Sequence, residues 1–133
     1  MLTRRGFVGC ALCAISGFIA TGVAAQTPGV KRTVLTQIDG PVDGYVTISV
    51  RAEIEAGAQV ARHTHPGVES SYIVSGGSTL SVKGQPDRVV KAGEGFQIPP
   101  ETPHSVRNGP EKSRIVATFI VEKDKPLASP EPE

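Results

Sequence analysis

Thiol groups are scarce in this sequence, because its two cysteines, Cys10 and Cys13, both lie within the first 25 residues. If that segment is removed, the mature chain has no disulfide, no thiolate metal ligand and no cysteine nucleophile. At 133 residues the chain is long enough for one domain and too short for two. We therefore expect a single small domain that carries out no thiol chemistry.

An excess of charge of either sign is also missing. Without Arg4 and Arg5 the chain keeps 12 basic residues against 13 acidic ones, which gives a net charge of −1. The sequence has no tryptophan, no block of basic residues and no basic face rich in aromatic residues. Proteins that bind nucleic acid usually carry such features, so we expect no nucleic-acid partner.

Long hydrophobic runs are absent apart from one of about 14 residues in the N-terminal segment. This run is shorter than the ~20 residues that a membrane-spanning helix needs. Small residues follow it, with Val23 and Ala25 at the positions that a signal peptidase reads. We interpret residues 1–25 as an export signal that is cleaved before Gln26, after which no stable membrane insertion remains.

The stretch "TRRGFV" places two arginines directly before the apolar run. Paired arginines in this position resemble the twin-arginine export signal, although ordinary secretory signals also begin with basic residues. Either signal predicts a periplasmic or secreted protein. The twin-arginine route exports proteins that are already folded. A metal ion bound in the cytoplasm would therefore be enclosed before the protein meets copper outside the cytoplasm, and copper could not displace it.

The chain from residue 30 to residue 122 reads as a series of short strands. "YVTISVRAEIEA" and "TLSVKG" alternate and are rich in β-branched residues, and glycine, proline or asparagine ends most segments. No window of ten or more residues shows a helical stripe with caps. Strands separated by turn signals every 8 to 12 residues predict an all-β sandwich or barrel.

Two further features concern the ends and the edges of this domain. Residues 123–133, "KDKPLASPEPE", are rich in proline and charge, which predicts a mobile tail. A β-domain of this size has a small core and exposed edge strands. A second copy of the chain would cover such an edge, so we expect a homodimer.

The sequence contains three histidines, and two of them, His63 and His65, are one residue apart. Side chains at i and i+2 of a strand point to the same face, so both imidazoles can reach one ion. Glu69 would begin the next strand beside them, and a barrel can return His104 to the same place. Such ligands suit divalent iron, manganese, nickel, copper or zinc. The other interpretation is a set of solvated polar residues around a turn.

At these positions the sequence resembles the cupin superfamily. The first motif of the family is glycine, five residues, His-x-His, three or four residues, glutamate, six residues and glycine. The second is glycine, five residues, Pro-x-Gly, two residues, histidine, three residues and asparagine. The matching residues, with sixteen residues between the motifs, are Gly57, His63, His65, Glu69 and Gly76, then Gly93, Pro99, His104 and Asn108. Glu101 replaces the glycine of the second motif, which is strained if that turn needs a positive φ.

The resemblance implies a single cupin barrel, a double-stranded β-helix or jelly roll of six to eight strands. It also implies one divalent transition metal ion, with His63, His65, Glu69 and His104 as ligands. One or two coordination places would stay open for water, dioxygen or substrate, as in catalytic metal sites.

Two function classes follow from such a centre. The first is an oxidoreductase that resembles the small dioxygenase cupins acting on flavonols and related enols, in which Glu69 would be both ligand and general base. The second is a non-redox lyase, isomerase or hydrolase, or a module that binds and senses a small molecule, because the fold does not dictate the chemistry.

Weaker predictions concern residues around the motifs. Tyr72 should point away from Glu69 across the strand, where it would serve packing. Asn108 reads as a turn residue. Arg62 and Glu53 could contact the metal ligands from behind, but solvated surface residues are the simpler interpretation.

Overall fold

The computed structural model describes residues 27–133, so the interpreted export signal at residues 1–25 lies outside the described residues. The described residues form ten β-strands and no helix, which confirms the all-β prediction. Within this range, no helix has the length and apolar character needed to cross a membrane.

The ten strands follow one another with short connections. Their bounds are β1 Val30–Asp39, β2 Tyr45–Ile54, β3 Gln59–Thr64, β4 Gly67–Ser75, β5 Gly77–Val82, β6 Arg88–Lys91, β7 Gly95–Ile98, β8 His104–Asn108, β9 Ser113–Glu122 and β10 Ser129–Pro130.

The strands make two five-stranded sheets in which every pairing is antiparallel. One sheet has the order β1-β2-β9-β4-β7 and the other the order β10-β3-β8-β5-β6. Successive strands from β3 to β9 alternate between the sheets more often than they stay in one, which is the winding of a double-stranded β-helix. The barrel predicted from the sequence is therefore confirmed, with two more strands than the upper limit expected.

Strand β4 shows how the sequence sorts its residues between interior and solvent. Glu69, Ser71 and Ile73 are buried, whereas the residues between them are exposed. Tyr72 is on the outer face, as predicted, but it is 52% exposed and takes no part in the core. Period-two alternation thus places the carboxylate of Glu69 inside the barrel.

Buried apolar side chains form two clusters inside the barrel. The larger cluster consists of Val30, Ile54, Ile73, Leu80, Val90, Phe96, Ile98, Val106 and Ile115. The smaller cluster consists of Val46, Val50, Ala117, Phe119 and Val121, with Leu127 packed against it. Burying such side chains supplies most of the stabilisation available to a domain of this size.

Gly67 allows β4 to start close against β9. A Cβ atom at this position would lie 2.0 Å from the carbonyl oxygen of Ile120 and 2.6 Å from the Cα of Val121. Any larger residue would force the two strands apart at the point where the chain leaves the His65 turn. Gly67 therefore does more than turn the chain, because it fixes the position of β4 beside β9.

The turn between β7 and β8 does need a positive φ. Glu101 adopts φ 55°, the region in which the glycine of the cupin motif would be unstrained. Its backbone N–H donates a hydrogen bond to the carbonyl oxygen of His65 over 3.0 Å. The departure from the motif thus leaves the turn intact and tied to the histidine stretch.

Asn108 is a buried residue that links several strands, which differs from the turn role read from the sequence. Its Nδ2 donates to the backbone oxygens of Ile54, Glu55 and Glu111 at 2.8 to 2.9 Å. Its Oδ1 accepts hydrogen bonds from Ser78 and Ser113. The amide satisfies polar groups that the end of the barrel would otherwise bury unpaired.

The C-terminal segment is partly attached to the barrel, in contrast to the mobile tail predicted for residues 123–133. Ser129 pairs with Thr64 and Pro130 pairs with His63, so β10 extends the second sheet. Leu127 packs against the smaller core cluster. The high proline content misled the prediction, because an edge strand tolerates proline and one apolar side chain suffices to anchor the segment.

Candidate metal centre

The candidate metal centre lies between the two sheets. Strand pairing of β3 with β8 sets His63 opposite His104 in one sheet, and Glu69 projects inward from β4 in the other. His65 lies in the short connection between β3 and β4. The structure thus brings together all four residues that the sequence singled out, from separate segments of chain.

The four side chains converge on a common point. One ligand atom from each of the four residues lies within 4.8 Å of the other three. The Nε2 atoms of His63 and His65 are 3.1 Å apart. The Nε2 atoms of His65 and His104 are each 3.1 Å from Oε2 of Glu69. Three of the four residues are buried and His63 is half-buried.

Backbone carbonyls fix the tautomer of every imidazole. The Nδ1 of His63 contacts the carbonyl oxygen of Ala61 at 2.7 Å, and that of His104 contacts Thr102 at 2.8 Å. The Nδ1 of His65 contacts the carbonyl of Leu127 at 2.6 Å. A carbonyl oxygen can only accept, so each Nδ1 carries the hydrogen, and each neutral ring presents the lone pair of Nε2 to the centre.

This donor set fits a cation and little else. Three Nε2 lone pairs and a carboxylate oxygen 3.1 Å apart repel one another unless a positive charge lies among them. Ligand atoms that bind a metal at about 2.0–2.2 Å stand roughly 3.0–3.5 Å from one another, which matches this spacing. The mixture of imidazole and carboxylate is typical of sites for first-row transition metals.

Glu69 is held as an ionised ligand. Burial alone would raise the pKa of its carboxyl group, but its close contacts with His104 and His65 and the hydrogen bond that Ser71 donates outweigh burial and hold that pKa far below its usual range. The hydroxyl of Ser71 donates to Oε1 over 2.6 Å, which leaves Oε2 facing the imidazoles. Such a second contact orients a metal-binding carboxylate.

His63 is neutral near neutral pH. Burial is the largest effect on its ring, and together with the neighbouring imidazoles it lowers the pKa to about 4. A neutral imidazole is the form that binds a metal ion, so proton competition is weak at this position.

A cavity of about 740 Å³ lies where β7 faces the β5–β6 hairpin, and none of the four metal-centre residues lines it directly. Ser71, which contacts Glu69, lines this cavity, and so does Val82, which pairs with His104. Phe96 and Leu80 add apolar surface, but Asp87, Arg88 and Gln97 also line the cavity and make it more polar than apolar. The volume is in the range of pockets that enclose small organic molecules.

Several residues lie away from the centre. Glu53 pairs with basic side chains on the outer face of the first sheet, and Tyr72 points to solvent, so neither contacts the four residues. The side chain of Arg62 contacts none of the four residues. Its backbone oxygen accepts a hydrogen bond from the backbone N–H of Glu131. Neither Glu53 nor Arg62 is freely solvated, because Arg62 is half-buried and the Glu53 side chain is only 16% exposed.

Two groups that support the metal ligands are not part of the sequence motifs. Ser71 was missed, although its place two residues after Glu69 puts it on the same face of β4. The carbonyl of Leu127 has no sequence signal at all, because every residue carries a carbonyl and only the fold decides which one meets His65.

Comparison with known families and structures agrees with this geometry. A family model described as a cupin domain matches residues 50–121. The structure is similar to that of an RmlC-like cupin from Shewanella frigidimarina NCIMB 400, at 26% identity and a TM-score of 0.60, over 72% of this chain and 79% of that one. Comparison with curated proteins by sequence gives no significant match.

Two further solved structures share the fold at lower identity. KdgF from Halomonas sp. is 21% identical with a TM-score of 0.62, over 73% of this chain and 83% of that one. The DMSP lyase DddQ from Ruegeria pomeroyi DSS-3 is 21% identical with a TM-score of 0.66, over 78% of this chain and 54% of that one. At this identity the two matches show a common fold and nothing about the substrate.

Proposed function

The chain belongs to the cupin family, and from that premise we propose that it is a mononuclear metal-dependent oxidoreductase, dioxygenase-like, for a small enol or aromatic substrate. The observation that carries the proposal is the convergence of three Nε2 lone pairs and one carboxylate oxygen, with each Nδ1 fixed by a backbone carbonyl. His63, His65, Glu69 and His104 would hold one divalent ion of iron, manganese, nickel, copper or zinc.

A bound ion of this kind would act as a Lewis acid and, if redox-active, would allow dioxygen to react with the substrate. The chain's own contribution is to present neutral imidazoles and an ionised carboxylate without rearrangement. Ser71 holds Oε1 of Glu69, so that Oε2 stays directed at the ion. Pre-set ligands of this kind favour catalysis because no reorganisation is needed during the reaction.

Glu69 has two proposed roles, ligand and general base. The low pKa of its carboxyl group supports the ligand role and makes it a weak proton acceptor. As a base it would take a proton only from a substrate hydroxyl that the ion has already made acidic. Replacement of Glu69 by glutamine keeps the shape of the side chain but removes its charge and its ability to accept a proton. A loss of turnover without a loss of substrate affinity would therefore show that the carboxylate acts in the reaction and not only in substrate binding.

The cavity between β7 and the β5–β6 hairpin supports a small organic substrate that has both polar and apolar surface. Phe96, Leu80 and Val82 provide apolar walls, and Asp87 and Arg88 provide charged ones. Ser71 connects the cavity to the carboxylate of Glu69. A substrate in this cavity would direct its reacting group towards Ser71, the lining residue that contacts Glu69.

Oxygen uptake with flavonols and related enols tests the reaction class. Protein loaded separately with iron, manganese, nickel and copper should consume oxygen with at least one such substrate, and Glu69→Gln should lower the turnover ~10²–10⁴-fold. No uptake with any redox metal would remove the oxidoreductase. Turnover only with zinc would identify a non-redox lyase, isomerase or hydrolase, and ligand affinity unchanged in Glu69→Gln without turnover would identify a binding module.

We also propose that the protein works in the periplasm or outside the cell. The support is the sequence alone, with paired arginines before a short apolar run and small residues at the cleavage position. Replacing both Arg4 and Arg5 by lysine should retain the protein in the cytoplasm if the twin-arginine route is used. Elemental analysis of the exported and retained forms would identify the ion that each acquires.

A further inference from the structure

Ser71 is a polar residue in a position that suits an apolar one. It faces the interior of the barrel from β4 and is only 5% exposed. Strand pairing sets it directly opposite Phe96 on β7 and Ala117 on β9, and both of these residues are buried. An aliphatic side chain would fill this place without burying a hydroxyl group that needs a partner. The hydroxyl of Ser71 therefore serves something other than packing.

The partner of this hydroxyl is one particular oxygen of Glu69. The Ser71 hydroxyl donates to Oε1 over 2.6 Å, because an ionised carboxylate can only accept. Within residues 27–133, no second hydrogen bond reaches Oε1, whereas Oε2 is 3.1 Å from Nε2 of both His65 and His104. The two carboxylate oxygens thus have different surroundings, one at the imidazoles and the other at Ser71.

This difference decides how Glu69 can bind an ion. A carboxylate binds a metal through one oxygen or through both. Binding through both requires the two oxygens to face the ion together, and the hydrogen bond from Ser71 opposes this by holding Oε1. With one oxygen from Glu69 and three imidazole nitrogens, an ion that prefers about six ligands keeps two open places. With both oxygens it keeps only one.

We propose that Ser71 restricts Glu69 to binding through one oxygen and thereby keeps a second coordination place open, an inference that rests on the metal centre proposed above. The second place matters because a reaction between two small molecules at one ion needs a place for each of them. Ser71 touches neither the ion nor the reacting atoms in this role. It is a positioning residue that acts through Glu69.

Water-proton magnetic relaxation of the manganese-loaded protein tests this inference, because the effect of Mn²⁺ scales with the number of exchangeable water molecules bound to it. In Ser71→Ala, Oε1 should replace one of two such waters, so the relaxation per bound manganese should fall about two-fold. Ser71→Thr keeps a hydroxyl group and should retain the wild-type value.

Ser78→Ala is the matched control. Ser78 is 2% exposed on β5, and its hydroxyl donates to Oδ1 of Asn108 over 2.9 Å. This variant therefore loses a buried hydroxyl donor of the same kind outside the metal centre, and its relaxation per bound manganese should stay at the wild-type value. An unchanged value in Ser71→Ala, or an equal fall in Ser71→Ala and Ser78→Ala, would overturn the proposal.

Infrared difference spectra recorded on manganese binding give a second measurement. The separation between the antisymmetric and symmetric carboxylate stretches is smaller when both oxygens bind one ion, so it should be smaller in Ser71→Ala than in the wild type. The same separation in both proteins would contradict a change in the binding mode of Glu69.

Manganese content, measured on each variant, separates this proposal from the metal centre itself. Wild-type protein that takes up no metal would overturn the centre, and the role of Ser71 would fall with it. Wild-type protein that binds manganese beside a Ser71→Ala variant that binds none would leave the centre standing. It would overturn the role proposed for Ser71, because Glu69 would then need the hydroxyl in order to bind at all.

Discussion

Single polar side chains decide how the two sheets are held together, and the clearest example is Asn108. Its amide joins the end of β2 to β5 and β9 through hydrogen bonds to backbone and hydroxyl groups. The sequence places an asparagine before Gly109 and Pro110, which suggests a turn. Its burial depends on strands that are far away in the chain and could not be read locally.

Replacement of Asn108 by alanine should lower the free energy of unfolding by about 3 kcal/mol, since several buried carbonyl and hydroxyl groups lose their partner. Chemical denaturation measures this loss. Ser81→Ala is the control, because Ser81 also makes a side-chain hydrogen bond, to Asp87, but at the exposed surface. A cost for Asn108→Ala no larger than that of the control would show that the amide network adds little.

The metal-centre residues were easier to foresee than their supports. His63, His65 and His104 are all the histidines of the chain, and their spacing to Glu69 fits a known motif. Alternation along β4 then makes Glu69 an interior residue. The carbonyls that orient the three rings carry no side-chain signature, so only the folded chain reveals them.

Among the structural elements, the C-terminal segment is the one whose role the composition concealed. Leu127 supplies both an apolar side chain to the smaller core cluster and the carbonyl that accepts from His65. Proline and charge suggested a free tail, because composition reports the average preference of a segment and not the single contact that anchors it.

Removing residues 126–133 should weaken metal binding about 10- to 100-fold, because the ring of His65 loses the acceptor that fixes its orientation. Competition with a chromophoric chelator measures the affinity. The matched truncation removes only residues 132–133 and keeps Leu127 and β10, so its affinity should equal that of the full chain. Equal affinity of both truncations would show that the carbonyl of Leu127 does not support the centre.

Strand β1 is an edge strand with exposed apolar side chains. It pairs with β2 on one side only, and its apolar residues Val34 and Ile38 are 61% and 70% exposed. Exposed edges with apolar side chains promote association, so we predict that the chain forms a homodimer and that the contact lies across β1.

Val34→Asp should therefore convert the dimer to a monomer, as measured by analytical ultracentrifugation. Val89→Asp is the control, because Val89 is also 60% exposed but lies on β6, an edge strand of the other sheet. A monomeric wild-type chain, or a dimer disrupted equally by both substitutions, would contradict an interface across β1.

At the scale of the whole molecule, His63 links the stability of the fold to pH. The folded chain holds the pKa of His63 at about 4, below the ordinary value of 6.5, so the unfolded chain binds more protons between these two values. The resulting stabilisation is complete above about pH 6.5 and is lost as the pH falls towards 4, and it amounts to at most ~3 kcal/mol.

Thermal unfolding of the metal-free protein from pH 7 to pH 4 should show this loss, and His63→Asn should show a smaller dependence on pH over the same range. Protonation of Glu69 would add a further loss only at lower pH, since its pKa is also depressed. If the variant keeps the full pH dependence, His63 is not the group responsible.

The account depends on a single ion bound by residues from both sheets, and anomalous X-ray scattering at the absorption edge of the bound metal tests this most directly. A crystal of the protein should show one strong anomalous peak per chain within about 2.0–2.2 Å of Nε2 of His63, His65 and His104 and of Oε2 of Glu69. Metal-loaded crystals that show anomalous peaks elsewhere and none among these four atoms would contradict it.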